Sequence, residues 1–234
     1  MSGEVVAICI PAGDSVATFW AHDLARMMTH TALVRPDISL HQVFCTGSLI
    51  VKQRETLLNE VLKHEAVTKV THVLFLDSDM RFPRDTLLRL LAHEVECVAV
   101  NYTMRNAPFL PVTYASLEDW NERVWTTDAT EGLYPVAATG LGVMLLQVGA
   151  IKKMPKPRFM VGYNKELEGY MGEDVYFCVG LQKVGVRVFI DQTLSQEIGH
   201  VGRFELTAAH ALKWAEDEKI GPFKPKLELV HGSD

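Results

Sequence analysis

Short apolar runs closed by glycine, proline or a carboxylate alternate, along the first part of the chain, with longer amphipathic stretches. The first pattern is that of buried strands, and three- and four-residue apolar spacing is that of helices. Residues 4–10, rich in Val and Ile, predict a first strand that stops at Pro11-Ala12-Gly13-Asp14. Asp14 or Ser15 is expected to cap a helix over about 16–31, with Phe19, Ala21, Leu24 and Met28 at helical spacings. A second strand is predicted over 38–44, and a helix over 49–65 with Leu57, Leu58, Val61 and Leu62 as its apolar face. Val73 to Leu76 reads as a fully buried central strand of a parallel sheet. Phe82-Pro83-Arg84-Asp85 opens a further helix, with Leu87, Leu88 and Leu91 inside, and 97–100 is a fourth strand. This order argues for a doubly wound parallel sheet through about residue 100.

The rhythm then breaks. Short β-like pieces at 112–115 and 123–126 lie among loops, and 136–146 reads as strand, glycine turn, strand. Residues 155–169 read as loop. Gly172-Glu173-Asp174 opens a helix to about 184, a strand covers 186–190, and a loop over 195–203 carries His200. An amphipathic helix is expected over 207–219 and an extended tail over 221–234. The chain is therefore read as one domain over about 1–220, with halves at 1–100 and 101–205.

Composition narrows this picture. Of 234 residues, 48% are hydrophobic and 22% charged, an ordinary globular balance. The net charge of −6 carries no general nucleic-acid footprint, which leaves a local basic groove as the route to such a ligand. No apolar run approaches the roughly 18 residues of a membrane span. The start, Met1-Ser2-Gly3-Glu4, has no basic segment of signal-peptide type. Cys9, Cys45, Cys97 and Cys178 show neither zinc nor redox spacing, so buried reduced thiols and a cytoplasmic location are expected.

Three features carry candidate chemistry. Asp77-Ser78-Asp79 directly follows a buried strand, where open α/β sheets bind ligands. In extended geometry side chains two apart share a face, so Asp77 and Asp79 could converge on one hard cation; the competing role is a strand-ending turn. Glu173 and Asp174 stand at a helix start, where acids also serve simply as caps. His200 lies in a loop between Gly199 and Gly202, with plain surface as its alternative.

Taken in order, these features resemble the nucleotide-sugar glycosyltransferases of the GT-A fold, family 2-like. The matching elements are Pro11-Ala12-Gly13-Asp14, Arg54 on the second helix, Phe75-Leu76-Asp77-Ser78-Asp79, Thr139-Gly140-Leu141-Gly142-Val143, Gly172-Glu173-Asp174 and Ile198-Gly199-His200. The resemblance implies a Rossmann-like, mostly parallel α/β sheet flanked by helices, with a small β-containing acceptor-side region. Residues 1–100 would be the nucleotide-binding half and 101–205 the acceptor and catalytic half.

It also implies a metal site of Asp77, Asp79 and His200. Imidazole leans such a site from Mg2+ towards Mn2+. Donor contacts would come from Pro11, Ala12, Gly13, Asp14, Arg54, Asp77, Ser78, Gly140, Leu141 and Gly142. The donor would be a UDP- or GDP-sugar, and the activity that of a hexosyltransferase. Asp174 would be the general base of an inverting reaction, with Glu173 positioning the acceptor. A base of this kind contributes roughly 10²–10⁴-fold.

Other readings stay open at this stage: a retaining enzyme with the same metal site, or a non-catalytic nucleotide-sugar-binding module. A haloacid-dehalogenase-like phosphatase is disfavoured, because Arg81 stands where that motif carries Thr or Val. The acceptor is a saccharide, a protein or a hydroxylated DNA base, the last suiting a phage-encoded enzyme in its host's cytoplasm. The oligomeric state is not specified.

Overall fold

Alternate side chains of the central strands go to opposite layers, and this builds the molecule. The computed structural model describes residues 3–202 apart from Ala107, Trp120, Glu166 and Leu167. Its first half runs β1 (Val5–Ala12), α1 (Thr18–Val34), β2 (Ser39–Thr46), α2 (Ile50–Thr68), β3 (His72–Leu76), β4 (Met80–Arg81), α3 (Thr86–Leu91) and β5 (Cys97–Ala99). After β5 come β6 (Leu133–Val136), β7 (Val143–Gln147), α4 (Val148–Lys153), β8 (Gly162–Asn164) and β9 (Gly169–Met171). The described part ends with α5 (Glu173–Lys183), β10 (Val188–Asp191), α6 (Gln192–Ser195) and β11 (Gly199–His200).

The main sheet has the order β2-β1-β3-β7-β5-β10-β6. From β1 and β3, Ala7, Cys9, Val73 and Phe75 pack with α2, α4 and α5. Val6, Ile8, Ile10, Leu74 and Leu76 pack with α1 and α3 on the other face. Burying both faces of a strand explains the unbroken apolar runs. Phe159 stacks on Phe177 at 4.6 Å, and Phe75 meets both edge-on, closing the layer beneath α5.

The four sheet strands expected up to residue 100 are parallel, and the whole sheet is mostly parallel, as expected. β2, β1, β3, β5 and β10 share one direction, and β7 runs antiparallel between β3 and β5. A fully apolar strand carries no mark of its direction, so Val143–Leu146 gave no warning of this. β6 pairs with β10 rather than forming a hairpin with β7. The expected loop at 155–169 runs into the β8–β9 hairpin, with Tyr163 and Tyr170 edge-to-face at 5.2 Å. The β-like pieces at 112–115 and 123–126 make isolated bridges only, through Tyr114 and Arg123. Neither Asp14 nor Ser15 caps α1, whose N-cap is Ala17 without a side-chain bond.

Two short features shape the site. β11 pairs with β4, setting His200 opposite Met80, and the Val201 amide donates to the Asp79 carbonyl at 2.8 Å. Gly172 is the N-cap of α5, directly after β9. Cys9, Cys97 and Cys178 are buried and Cys45 half-buried; burial pushes the Cys9 thiol up to about 12. Among the described residues no helix is long and apolar enough to cross a membrane. The helix expected at 207–219 and the tail at 221–234 lie outside the described residues.

Candidate active site

A cleft of about 580 Å³ opens at the carboxyl ends of β1 and β3. Its wall holds Pro11, Ala12 and Gly13 after β1, Asp77, Ser78 and Asp79 after β3, Arg54 from α2, Glu173 and Asp174 from α5, and His200 from β11. Asp14 is exposed and outside that wall. Gln53 fixes the nearby loops, its amide nitrogen donating to the carbonyls of Ala12 at 2.6 Å and Cys45 at 3.0 Å.

Arg54 is the buried cation of the cleft, 4% exposed. It shares the inward stripe of α2 with Leu57, Leu58 and Val61, not the solvated side of the helix. The spacing 54, 57, 58, 61 carried that information. Burial opposes its charge, yet the carboxylates of Asp77 and Glu173 outweigh burial and hold the guanidinium above its ordinary pKa. Nη2 donates to both Asp77 oxygens at 3.0 and 2.8 Å, and Nη1 to Glu173 Oε1 at 2.6 Å.

That arrangement separates the two aspartates. β3 ends at Leu76 and the backbone turns, with the Met80 amide donating to the Asp77 carbonyl at 3.2 Å. The extended geometry that would aim Asp77 and Asp79 at one point therefore does not occur. Asp77 faces Arg54. Asp79 Oδ2 instead accepts from Arg105 Nη1 at 2.5 Å and lies 3.4 Å from His200 Nε2. Burial pushes the Asp79 carboxyl up, but His200 and Arg105 outweigh it and hold it below the usual carboxylate range.

His200 Nδ1 lies 2.9 Å from the Thr103 carbonyl, which accepts only, so Nδ1 bears the proton and Nε2 is turned towards Asp79. This is the tautomer in which a histidine binds a metal through Nε2. Burial lowers the His200 pKa, but Asp79 and the Thr103 carbonyl more than compensate, leaving it raised. Among the described residues no three His, Cys, Asp or Glu side chains group around one point as a metal needs. Of the three expected ligands, Asp79 and His200 face one another and Asp77 is turned away to Arg54.

Tyr102 lines the cleft beside His200. Its ring meets His200 edge-on at 5.2 Å, and the Gly142 amide donates to its hydroxyl at 3.0 Å. A Cβ on Gly142 would stand 2.8 Å from the Tyr102 hydroxyl, and one on Gly140 would overlap the same group. Gly140, Leu141 and Gly142, expected as donor contacts, lie outside the cleft wall: the glycines admit Tyr102, and Leu141 is wholly buried. Burial, then the charges of Asp77 and Asp174, raise the Tyr102 pKa.

Asp174 is half-buried and its Oδ1 accepts from the Val175 amide at 2.7 Å. Burial, then the Glu173 carboxylate beside it, raises its pKa. Sequence reasoning missed Tyr102, Arg105 and Thr103. Tyr102 follows the carboxyl end of β5, so the strand-end rule that found Asp77 could have found it. Arg105 lies in a segment without periodicity and gave no signal.

No family model and no curated protein matches the sequence. Among solved structures, A197 from STIV is similar at 18% identity and a TM-score of 0.50, over 86% of this chain and 96% of that one. The catalytic domain of Drosophila β1,4-galactosyltransferase 7, in complex with xylobiose, is similar at 14% identity and a TM-score of 0.49, over 90% and 79%. A glycosyltransferase involved in glycosylation of the PBCV-1 major capsid is similar at 12% identity and a TM-score of 0.42, over 92% and 99%.

The chain shares with A197 an α/β fold, here a mostly parallel sheet between helices. At these identities the fold is what is shared. In this chain the acids, the histidine and Arg54 are gathered at the carboxyl edge, where open α/β sheets place ligands.

Proposed function

We propose that this protein is a glycosyltransferase of hexosyltransferase type, moving a sugar from a nucleoside-diphosphate donor to an acceptor hydroxyl with inversion. The observation that carries the reading is the cleft itself. One cavity is lined both by the Asp79–His200 pair and by Asp174, whose pKa is raised.

The nucleotide end would lie along Pro11, Ala12, Gly13 and Ser78, where main chain and small side chains allow close approach. Asp79 and His200 would hold a divalent cation, Mn2+ or Mg2+. When bound, such an ion offsets the negative charge that develops on the departing diphosphate. Asp77 supports the site differently, by neutralising Arg54 and so fixing the floor between donor and acceptor sides.

Asp174 is the base. As the acceptor oxygen attacks the anomeric carbon, the bond from that carbon to the diphosphate oxygen breaks, and the acceptor proton passes to the Asp174 carboxylate. A pKa raised towards the working pH makes a carboxylate a better proton acceptor in the transition state. Glu173, tied to Arg54, is a positioning residue that keeps Asp174 facing the cleft. The net charge of −6 favours a saccharide or protein acceptor over a DNA base.

The test is a panel of UDP- and GDP-sugars with Mn2+ and mixed saccharide acceptors, following nucleoside diphosphate release. Release from at least one donor by the native protein, absent in Asp79→Ala and in metal-free buffer, is expected. Equal release by native protein and Asp79→Ala for every donor sinks the reading.

A further inference from the structure

The Asp79 oxygen that a cation would use is already taken. Arg105 donates to Oδ2, the same atom that faces His200 Nε2. The Arg105 side chain is 54% exposed and lines the cleft. It follows β5 in a stretch tied by the bridge of Thr103 to Pro111, the bond from the Met104 amide to the Leu110 carbonyl, and the contact of the Thr103 carbonyl with His200. Its guanidinium is thus held by Asp79 and not clamped in a packed core, unlike that of Arg54.

A cation placed between Asp79 and His200 would sit against this guanidinium. Two positive charges a few ångströms apart in a partly buried site repel strongly. Arg105 must therefore leave Asp79 as the cation enters. A guanidinium carries a planar fork of donors that matches phosphate oxygens, and within this cleft a diphosphate would be the anion that replaces Asp79 as its partner.

We propose that Arg105 is a diphosphate ligand kept in reserve on Asp79, so that cation and diphosphate bind cooperatively and the cation alone is opposed. The inference rests on the nucleotide-donor reading above. It makes Arg105 both a stand-in for the absent cation and a contact for the group that arrives with it. Such coupling is reciprocal and typically 5- to 150-fold.

The experiment measures Mn2+ binding from the electron paramagnetic resonance of the free ion. It compares native protein, Arg105→Gln, Arg105→Lys and Asp79→Asn, with and without inorganic pyrophosphate, which supplies a diphosphate without committing to a base. Thermal unfolding of each variant checks that it is folded. Arg105→Gln is expected to bind Mn2+ alone about tenfold more tightly than native protein, and pyrophosphate in the presence of Mn2+ about tenfold more weakly. Arg105→Lys should keep the opposition to Mn2+ alone and lose part of the pyrophosphate affinity, since ammonium retains the charge without the fork.

Opposite shifts in the two affinities are the signature, because a merely structural arginine would weaken both or neither. If Mn2+ binding needs Asp79 but is the same in Arg105→Gln, the reserve role is wrong and the donor reading stands. If neither native protein nor any variant binds Mn2+, with or without pyrophosphate, both fall together.

Discussion

Arg54 and Glu173, 119 positions apart, meet through a 2.6 Å hydrogen bond in the floor of the cleft. The contact joins α2 of the first half to the first turn of α5, and its other arm grips Asp77. The buried guanidinium is thereby matched by two half-buried carboxylates.

Removing that guanidinium leaves two acids facing each other across the floor. Arg54→Ala is expected to lower unfolding stability by about 3 kcal/mol, read from denaturant melts, because breaking one side of a buried pair strands its partners. Arg54→Lys should recover only part of this, since one ammonium cannot reach both acids with fork geometry. A loss under about 0.5 kcal/mol for Arg54→Ala would return Arg54 to an ordinary polar role.

Asp174→Asn separates capping from catalysis. Asn keeps an oxygen for the Val175 amide, so the helix start should survive while the proton acceptor is lost. A fall in kcat of at least about a hundredfold is expected, with donor binding kept. Transfer at near-native rate would rule out the base, leaving a retaining mechanism to explain any activity.

The same residue predicts a pH signature in stability. The folded pKa of Asp174 is raised above the ordinary 3.8, so the folded state binds that proton more tightly than the unfolded chain does. The ionised carboxylate therefore costs stability above the folded pKa, and the cost vanishes as pH falls below the unfolded value. Asp174→Asn should raise Tm at about pH 7.5 and lose that advantage near about pH 4. The native rate should fall on the acid side as Asp174 takes up its proton. A Tm difference independent of pH would show that the shift does not act on folding.

Gly140 and Tyr102 should behave as a coupled pair. Gly140→Ala drives a methyl into the Tyr102 hydroxyl, and overpacking of this kind costs about 1–3 kcal/mol. In a Tyr102→Ala background the same substitution should cost far less, giving a double-mutant coupling above about 1 kcal/mol in denaturant melts. Additive effects would mean that the glycines serve something other than room for Tyr102.

Much of this site was written locally. The apolar run Val73–Leu76 stopping at acids, and the glycine opening the helix at Glu173, are short-range patterns, because burial period and capping chemistry act within a few residues. They sufficed to place both acid pairs at strand and helix ends, and the alternation of β1 and β3 between layers was implicit in the same runs. The inward stripe of Arg54 was also present in its spacing.

Tertiary structure decided the rest, since each remaining feature depends on a distant partner. A strand buried on both faces looks alike in either direction, so only pairing fixed β7 as antiparallel between β3 and β5. The turn after Leu76 and the pull of Arg54 parted Asp77 from Asp79, where extended geometry would have joined them. His200 reached Asp79 through a two-residue ladder between β11 and β4, far too short to be read from periodicity. Arg105 came to the same oxygen from a segment with no period at all, because an ion pair needs proximity in space and leaves no repeat in the chain.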